Sequence, residues 1–239
     1  MTKVIVLDPG HGGKDPGAVA NGLQEKKLVL DIAKRVRKEL NDQYSGHRVI
    51  LTRDRDQFVS LQKRCDIANQ AKAACFVSIH VNAGGGTGFE SFVVPNAHPR
   101  SAGLLQRNIH QAMAPVLKKY SMRDRGRKVD TQAASRRIHV VRATRMKACL
   151  TENLFIDAKK DAALLKKSSF LAEVAAAHAD AIARTEGLKT KAKSDPKPAD
   201  EWIRVSVNGQ QKHAFQKRES VLSFVRDHVK AGDTVDIKR

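Results

Sequence analysis

The chain has 239 residues and a formal net charge of +19, because 44 lysines and arginines outnumber 25 aspartates and glutamates. A hydrophobic fraction of 41% is ordinary for a soluble globular protein, and no run approaches the roughly 18 apolar residues of a membrane span, so we expect no stable membrane insertion. The charge indicates attraction to a polyanion, for which nucleic acid, an anionic membrane surface and a phosphate-rich bacterial wall are candidates, unless it serves only solubility.

The first part of the chain alternates between patterns typical of strands and of helices. Residues 3–8, KVIVLD, form a short β-branched run that predicts a buried strand, and a glycine-rich loop follows it. An amphipathic helix is predicted next, because apolar side chains recur every four residues. These side chains are Leu28, Ile32, Val36 and Leu40. Residues 47–52 predict another strand, and Ser60 predicts the cap of a helix that runs to about Ala73.

The same alternation continues further along the chain. Residues 75–81, CFVSIHV, predict a buried strand, and GGGTGFESFVVP predicts a flexible loop with a further strand. Residues 101–120 predict a helix that tolerates Pro115 as a kink. The runs RRIHVVRA and MKACLTEN predict the last two strands, and residues 158–186, rich in alanine and leucine, predict helices.

These elements predict a chain in three parts. Strands that alternate with helices over residues 1–187 indicate an α/β domain with a largely parallel sheet. Residues 188–200 contain lysines and two prolines, which is typical of a linker. Residues 201–239 predict a small α+β module with the order ββαβ, although about forty residues are marginal for independent folding.

The cysteines and the first residues bear on where the protein is made. Cys65, Cys75 and Cys149 lie in apolar surroundings without metal-type spacing, which favours small buried core residues. The opening MTKVIVLDPGHGG has too short an apolar run for a signal peptide. We therefore expect synthesis in the cytoplasm, where a structural disulfide is not expected.

Four polar residues lie beside apolar runs. His11 follows the first predicted strand, His80 closes the strand in CFVSIHVNA, Glu25 opens the predicted helix and Glu152 follows the run MKACL. Taken singly, two have simple structural explanations, His11 as a loop residue and Glu25 as a charge that offsets the helix dipole, worth about 0.3–1 kcal/mol. However, open α/β sheets place ligands at the carboxyl ends of their strands, so His11 and His80 are expected to meet.

The four residue types together suit hydrolytic chemistry. Two imidazoles and a carboxylate can hold a zinc ion with one coordination position open. A second carboxylate that does not bind the metal can then act on the metal-bound water. The sequence therefore predicts a hydrolase.

Three segments of the chain carry a family resemblance. VIVLDPGHGGKDPGAVANGLQEKKLVLDIAKRV, SLQKRCDIANQAKAACFVSIHVNA and ACLTENLFID resemble blocks of the zinc-dependent N-acetylmuramoyl-L-alanine amidases, the family-3 amidases, and DRGR resembles a further family segment. The resemblance implies a mixed, largely parallel six-stranded sheet flanked by helices. It also implies that Zn²⁺ is held by His11, Glu25 and His80, with Glu152 as the catalytic acid–base.

The segment around Glu152 departs from the family pattern. Family members commonly have Val-Glu-Thr-Gly-Phe or a similar sequence there, whereas this chain has Thr151-Glu152-Asn153-Leu154-Phe155. The glutamate is kept, so we expect the chemistry to be intact. Because the glycine is missing, the family pattern does not predict the backbone conformation beside Glu152.

The resemblance also implies a substrate and a reaction. The substrate is peptidoglycan, and the bond is the amide between the lactyl group of N-acetylmuramic acid and L-alanine. Zinc lowers the pKa of a bound water, and Glu152 takes its proton and passes it to the leaving amine. No serine or cysteine nucleophile is needed, so no acyl-enzyme is expected.

The biological setting has two candidates. An endolysin of a phage or prophage lyses the host, and the expected cytoplasmic synthesis favours it, with access to the wall through a separate membrane pore. A host autolysin that remodels the wall is the alternative. We expect residues 201–239 to bind the wall, with anionic wall polymers as a second partner, and the chain to be a monomer or a dimer.

Two non-enzymatic classes compete with the hydrolase. The charge fits a basic protein that binds nucleic acid or another polyanion, but the chain has no recognised nucleic-acid motif and aromatics make up only 5% of it, so no nucleic acid is expected as a partner. A wall-binding protein with a dead site is disfavoured because Glu152 is present.

Overall fold

The computed structural model describes residues 2–95, 102–134, 137–191, 203–215 and 218–238. The chain divides into two compact units, Met1–Lys191 and Ala192–Arg239. The strands of the first unit are β1 Lys3–Pro9, β2 Val19–Ala20, β3 Leu23–Gln24, β4 Tyr44–Ser45, β5 His47–Leu51, β6 Cys75–Asn82, β7 Phe89–Val93, β8 Asp124–Val129, β9 Lys147–Phe155 and β10 Lys189–Thr190. Its helices are α1 Glu25–Gln43, α2 Leu61–Gln70, α3 Ala102–Lys119, α4 His139–Arg142, α5 Lys159–Leu165 and α6 Ser168–Glu186.

Six of these strands form one mixed sheet in the order β5-β1-β6-β9-β7-β8. Four of the five neighbouring pairs are parallel, and only β7 and β9 run antiparallel. The predicted mixed, largely parallel six-stranded sheet is therefore confirmed. The carboxyl ends of β1, β6 and β9 share one edge, which is where such sheets place their ligands.

Helices cover both faces of the sheet. Helices α1, α3 and α6 pack together on one face, where the predicted α1 stripe of Leu28, Ile32, Val36 and Leu40 is buried. Helices α2 and α4 cover a smaller apolar cluster on the opposite face. Each fully buried leucine or isoleucine contributes roughly 1.5–3 kcal/mol of transfer free energy, so the two faces together anchor the strand ends that carry the site.

One predicted strand is wrong. The run RRIHVVRA contains helix α4 instead of a strand, and the sixth strand is β8, Asp124–Val129. Val140 and Val141 are adjacent and both buried in the smaller cluster, whereas successive strand residues point to opposite faces. Strand β8 escaped prediction because DRGRKV is a polar, half-exposed edge strand whose pairing comes from β7.

Two helix predictions are confirmed in outline. The Ser60 side chain caps α2 by accepting from the Lys63 backbone N–H at 3.3 Å, although the helix ends at Gln70 and not near Ala73. Helix α3 continues through Pro115. No helix in the described part of the chain has both the length and the apolar character needed to cross a membrane.

The second unit is the predicted ββαβ module. Its elements are β11 Ile203–Val207, β12 Gln210–Phe215, α7 Arg218–His228 and β13 Val235–Lys238, with β11 between two antiparallel neighbours. The segment predicted as a linker from residue 188 begins within the first unit, because β10 pairs with β4 and the Lys191 backbone N–H donates to Gln43 O at 2.8 Å. The rest of that segment, 192–200, lies outside the described residues.

The three cysteines are buried free thiols, as predicted. Burial raises the pKa of Cys65 to about 11 and that of Cys149 to about 12, so neither is a thiolate at neutral pH.

Candidate active site

His11 lies in the loop after β1, in a left-handed backbone conformation with φ +58°. Two buried arginines fix this loop from below. Arg64 donates to the backbone carbonyl of His11 at 2.6 Å and to the Asp8 carboxylate at 2.7 Å, and Arg53 donates to the Gly10 carbonyl at 2.7 Å. Each arginine satisfies loop carbonyls that would otherwise be buried without partners, so the loop position of His11 is set by charge-assisted hydrogen bonds.

The side chains of His11, Glu25 and His80 converge at the carboxyl edge of the sheet. His11 Nε2 lies 3.1 Å from one Glu25 carboxylate oxygen, and His80 Nδ1 lies 2.9 Å from the other. Glu25 is held in place because it also accepts the backbone N–H groups of Ala18 at 2.9 Å and Val81 at 3.1 Å. One potential ligand atom from each of the three side chains lies within 4.8 Å of the other two, so the group can hold a metal ion.

Glycines at two positions give these side chains their space. A Cβ on Gly10 would lie 2.2 Å from the His80 ring, and one on Gly17 would lie 2.6 Å from a Glu25 carboxylate oxygen. Real Cβ atoms essentially never approach so closely, and Gly17 also has φ +64°. The two glycines are therefore part of the cradle that holds the three-residue group.

The electrostatics of the group follow from its carboxylates. Burial alone would lower the pKa of His11, but hydrogen bonds and charge from Glu25 and Asp15 outweigh it and raise that pKa. Burial opposes ionisation of Glu25, yet the two histidines overcome it and lower the pKa of the carboxylate. His11 Nδ1 also lies 2.9 Å from the Asp15 carboxylate, which orients the ring and leaves Nε2 facing Glu25.

Glu152 lies beside this group on β9. It is the register partner of His80 on β6 and of Glu90 on β7. Its Oε2 atom is buried and has no hydrogen-bond partner in the described part of the chain. Burial, together with the charges of Glu25 and Glu90, raises its pKa well above the ordinary value. A buried carboxylate oxygen without a partner is costly, which points to a ligand or a proton at that atom.

The backbone after Glu152 passes through a left-handed conformation at Leu154. Leu154, where the resembled family commonly has glycine, has φ +70°, a conformation that costs a leucine about 1–2 kcal/mol. Leu154 is 1% exposed and packs in the main core, which offsets that cost. Asn153 donates to the His80 backbone carbonyl at 3.0 Å, so the departing residues brace the strand that carries His80.

His11, His80 and Glu152 line a cavity of about 800 Å³ on the α2–α4 side of the sheet. Its other lining residues include Phe58, Glu90, Phe92, Arg125, Lys128, His139 and Phe155. The sequence did not single out Glu90 or Lys128, and Arg125 entered only as part of the segment DRGR. Arg142, at the end of α4, forms a two-pronged hydrogen bond with the buried Asp130 carboxylate.

Elsewhere in the domain, three hydrogen-bonded side chains have the serine, histidine, aspartate order of a serine hydrolase triad. His110 lies 2.7 Å from Ser91 Oγ and 3.1 Å from an Asp124 carboxylate oxygen. Ser91 is fully buried and does not line the cavity, so a substrate carbonyl cannot reach its hydroxyl. These hydrogen bonds satisfy polar groups in the core. The prediction that the enzyme uses no serine nucleophile stays a prediction.

The fold and the site together define a class of protein. A mixed α/β sheet presents a histidine–glutamate–histidine group that can hold a metal ion, and beside it lies a carboxylate with one buried oxygen that has no partner among the described residues. That combination is typical of hydrolases that activate water.

Comparisons with known proteins narrow the class to a family. The sequence profile described as N-acetylmuramoyl-L-alanine amidase matches residues 5–184. The endolysin of Bacillus phage SPP1 is 49% identical over 203 residues, which is 84% of this chain and 72% of that protein. The sporulation-specific N-acetylmuramoyl-L-alanine amidase of Bacillus subtilis is 44% identical over 190 residues, which is 80% of this chain and 71% of the relative.

A solved structure agrees with the sequence relatives. The catalytic domain of CwlV, an N-acetylmuramoyl-L-alanine amidase from Bacillus (Paenibacillus) polymyxa var. colistinus, superposes with a TM-score of 0.70 at 32% identity, covering 79% of this chain and all of that domain. This chain belongs to the N-acetylmuramoyl-L-alanine amidase family. The predicted family and the predicted enzyme class are thereby confirmed.

Proposed function

We propose that this chain hydrolyses the amide between the lactyl carbonyl of N-acetylmuramic acid and L-alanine in peptidoglycan, with Zn²⁺ held by His11, Glu25 and His80 and with Glu152 as the acid–base. The observation that carries the proposal is the unpaired buried Oε2 atom of Glu152 beside the three-residue group, in the same cavity. Membership of the family supports the substrate class.

The donor set fits zinc. Two imidazole nitrogens and one carboxylate oxygen are the ligands of catalytic zinc sites that keep one position open, and the Asp15 carboxylate behind His11 is the outer partner such histidines usually have. When bound, zinc supplies a Lewis acid that polarises the scissile carbonyl and lowers the pKa of water.

Glu152 moves the proton. Its free carboxylate oxygen accepts a proton from the attacking water, and the same oxygen then donates that proton to the nitrogen of the leaving L-alanine. Its position on β9, beside His80 but outside the three-residue group, lets one side chain serve both steps. Glu152 therefore acts on substrate and not as a fourth ligand.

The activity can be tested on purified peptidoglycan. We expect release of new amino-terminal L-alanine that stops when a chelator removes the metal and returns when Zn²⁺ is restored. Release of reducing sugar without new amino-terminal alanine would point to cleavage of the glycan, and release that the chelator does not affect would remove zinc from the proposal.

We propose an endolysin role, in which the enzyme is made in the host cytoplasm and reaches the wall through a separate membrane pore. The 49% identity with the SPP1 endolysin supports it, whereas the 44% identity with a sporulation amidase supports the alternative of a host autolysin. Expression in a host with and without a pore-forming protein separates the two. An endolysin lyses cells only when the pore is present.

We also propose that residues 1–187 are catalytic, that 201–239 bind the wall, and that the linker predicted at 188–200 starts only after Lys191, where the first unit ends. The division into two compact units, the second with its own three-stranded sheet and helix, supports this organisation. Most of the excess of lysine and arginine lies in residues 1–187. If charge alone caused binding to the wall, the first unit would therefore bind it without the second.

A chain that ends at Lys191 tests the role of the module. We expect it to sediment with purified walls less than the full chain does, and to lose its residual binding steeply with salt because that binding is electrostatic. Equal sedimentation of both chains at high salt would refute a wall-binding module. Light scattering of the two chains tests dimerisation, the alternative role.

A further inference from the structure

The cavity wall beyond Glu152 carries more positive charge than its own carboxylate neutralises. Glu90 on β7 is 4% exposed and accepts hydrogen bonds from Asn82 at 2.8 Å, from Arg125 at 2.8 Å and from Lys128. One carboxylate thus faces two cations, and the cluster has a net charge of +1. All four side chains line the same cavity as Glu152.

The two cations keep donors for something else. Arg125 uses Nε for Glu90 and its guanidinium lies 4.8 Å from the Phe155 ring centre, while its two terminal nitrogens donate to no acceptor among the described residues. The side chains of Arg125 and Lys128 are each 26% exposed. A guanidinium fixed by Glu90 and Phe155 presents its remaining N–H groups as a preorganised fork, the geometry that binds a carboxylate.

The order of strands gives the cavity a direction. Across the sheet edge lie His11 after β1, His80 on β6, Glu152 on β9 and Glu90 on β7, and the next strand, β8, carries Arg125 and Lys128. The cationic cluster is therefore on the far side of Glu152 from the three-residue group. Because the proposed acid–base protonates the leaving amine, the peptide half of the substrate extends to this side and the sugar half to the other.

Distances set which part of the peptide reaches the cluster. Both cations reach back to Glu90, which lies one strand interval from Glu152, about 5 Å. An extended peptide advances at most about 3.3–3.6 Å per residue. A group on the residue that follows L-alanine therefore falls at the cluster.

We propose that Arg125 and Lys128, positioned by Glu90, form a subsite for a free carboxylate on the peptide residue next to L-alanine, so that the enzyme prefers substrates in which this group is ionised over those in which it is amidated. The inference rests on the proposed amidase function, since that function places the peptide on the Glu152 side.

A second cluster supplies a matched control within the chain. Glu186 is 1% exposed and faces both Lys3 and Lys147, at the amino edge of the sheet and outside the cavity. Lys147, like Lys128, has 26% side-chain exposure and pairs with a buried glutamate. Lys147→Met therefore removes the same charge from the same kind of cluster without touching the cavity.

The test uses two N-acetylmuramoyl peptides that differ at one group. Both continue from L-alanine into D-glutamate linked through its γ-carboxyl, and the α-carboxyl is free in one and a carboxamide in the other. For the wild-type chain with zinc we expect kcat/KM about tenfold higher on the carboxylate substrate, mainly through KM, because a hydrogen bond to a charged group is worth about that factor.

Variants then test whether Arg125 and Lys128 cause the preference for the carboxylate substrate. Arg125→Gln and Lys128→Met should each bring the ratio of the two kcat/KM values towards one, Lys128→Arg should retain it, and Lys147→Met should leave it at the wild-type value. Urea unfolding of each variant shows whether it folds, and Arg125→Gln tests the subsite if Lys128→Met does not fold.

The outcomes are distinct. Equal kcat/KM on both substrates in the wild type, or an unchanged preference in Arg125→Gln, would overturn the subsite while leaving the amidase intact. Absence of new amino-terminal alanine from both substrates and from whole peptidoglycan would overturn the proposed function and the subsite with it.

Discussion

Two pairs of histidines in the same domain have different surroundings. The rings of His11 and His80 lie 5.0 Å apart at the sheet edge and both face the Glu25 carboxylate. His110 and His178 lie in the core, with ring centres 5.0 and 6.3 Å from that of Phe89, and His110 also lies 3.1 Å from an Asp124 carboxylate oxygen. His178 is fully buried, and its hydrogen-bond partners among the described residues are the Val174 carbonyl and the Thr151 hydroxyl.

The comparison shows that the partner, and not burial alone, decides what a histidine can do. Burial lowers the pKa of His178 to about 4, so it is neutral and acts as a packed polar group. His11 is also largely buried from water, yet Glu25 and Asp15 raise its pKa. The Glu25 carboxylate faces both imidazoles, so it is placed to share a metal cation with them.

The largest effect should come from removing the carboxylate that distinguishes the edge pair. Glu25→Gln keeps the shape but removes the charge that both histidines face, so we expect zinc affinity to fall by at least about 100-fold, more than the loss of an outer partner costs, and activity to fall with it. Zinc content by elemental analysis and alanine release measure the two effects. Glu39→Gln, at a half-buried position near the other end of the same helix, is the control, and normal zinc content in Glu25→Gln would remove Glu25 from the ligand set.

A smaller effect on zinc affinity is expected from Asp15, which contacts His11 but is not part of the three-residue group. Asp15→Asn replaces the carboxylate that orients His11 with a neutral amide, which should weaken zinc binding by about 10- to 100-fold without unfolding the domain. Competition with a coloured chelator measures the affinity. Asp54→Asn, in an exposed turn, should bind zinc like the wild type, and the same affinity in Asp15→Asn would show that the carboxylate does not support the site.

The core pair predicts an effect of another kind, on stability against pH. Because the folded pKa of His178 is about 4 and the unfolded value is about 6.5, the unfolded chain binds the proton first as pH falls. This contribution to stability is full above pH 6.5 and is lost as pH falls towards 4, by roughly 3 kcal/mol in all. His11 in the metal-free protein acts in the opposite sense, since a raised folded pKa stabilises the fold at low pH.

Urea unfolding of chelator-treated protein from pH 8 to pH 4 separates the two histidines. His178→Leu should begin less stable and lose less stability on acidification than the wild type, because only the wild type carries the buried imidazole. Parallel stability curves for the two proteins would contradict the neutral, buried state of His178.

Some parts of the fold and the site could be predicted because their residues form a recognisable pattern in the sequence. The strands that end at His11 and His80 were predictable because apolar β-branched runs give way abruptly to polar residues there. The α1 stripe was predictable from its spacing of four. The role of Glu25 came from the family resemblance, since an acidic residue at a helix start has an adequate explanation in the helix dipole.

Other parts of the site leave no such signal. Arg53 and Arg64 lie in polar segments that are typical of solvated surface, and only the fold shows that they are buried beneath the His11 loop. Glu90, Arg125 and Lys128 come together across an edge strand whose polar sequence gives no strand pattern. Long-range pairing supplies these contacts, and local periodicity does not record it.

The most direct test of the account concerns Glu152. In Glu152→Gln the three-residue group is untouched, so the variant should retain wild-type zinc content while alanine release from peptidoglycan falls by about 10²- to 10⁴-fold, the usual contribution of an acid–base group. Glu173→Gln, a surface change on α6, should match the wild type in both measurements. Wild-type alanine release by zinc-loaded Glu152→Gln would contradict the central claim that this carboxylate moves the proton.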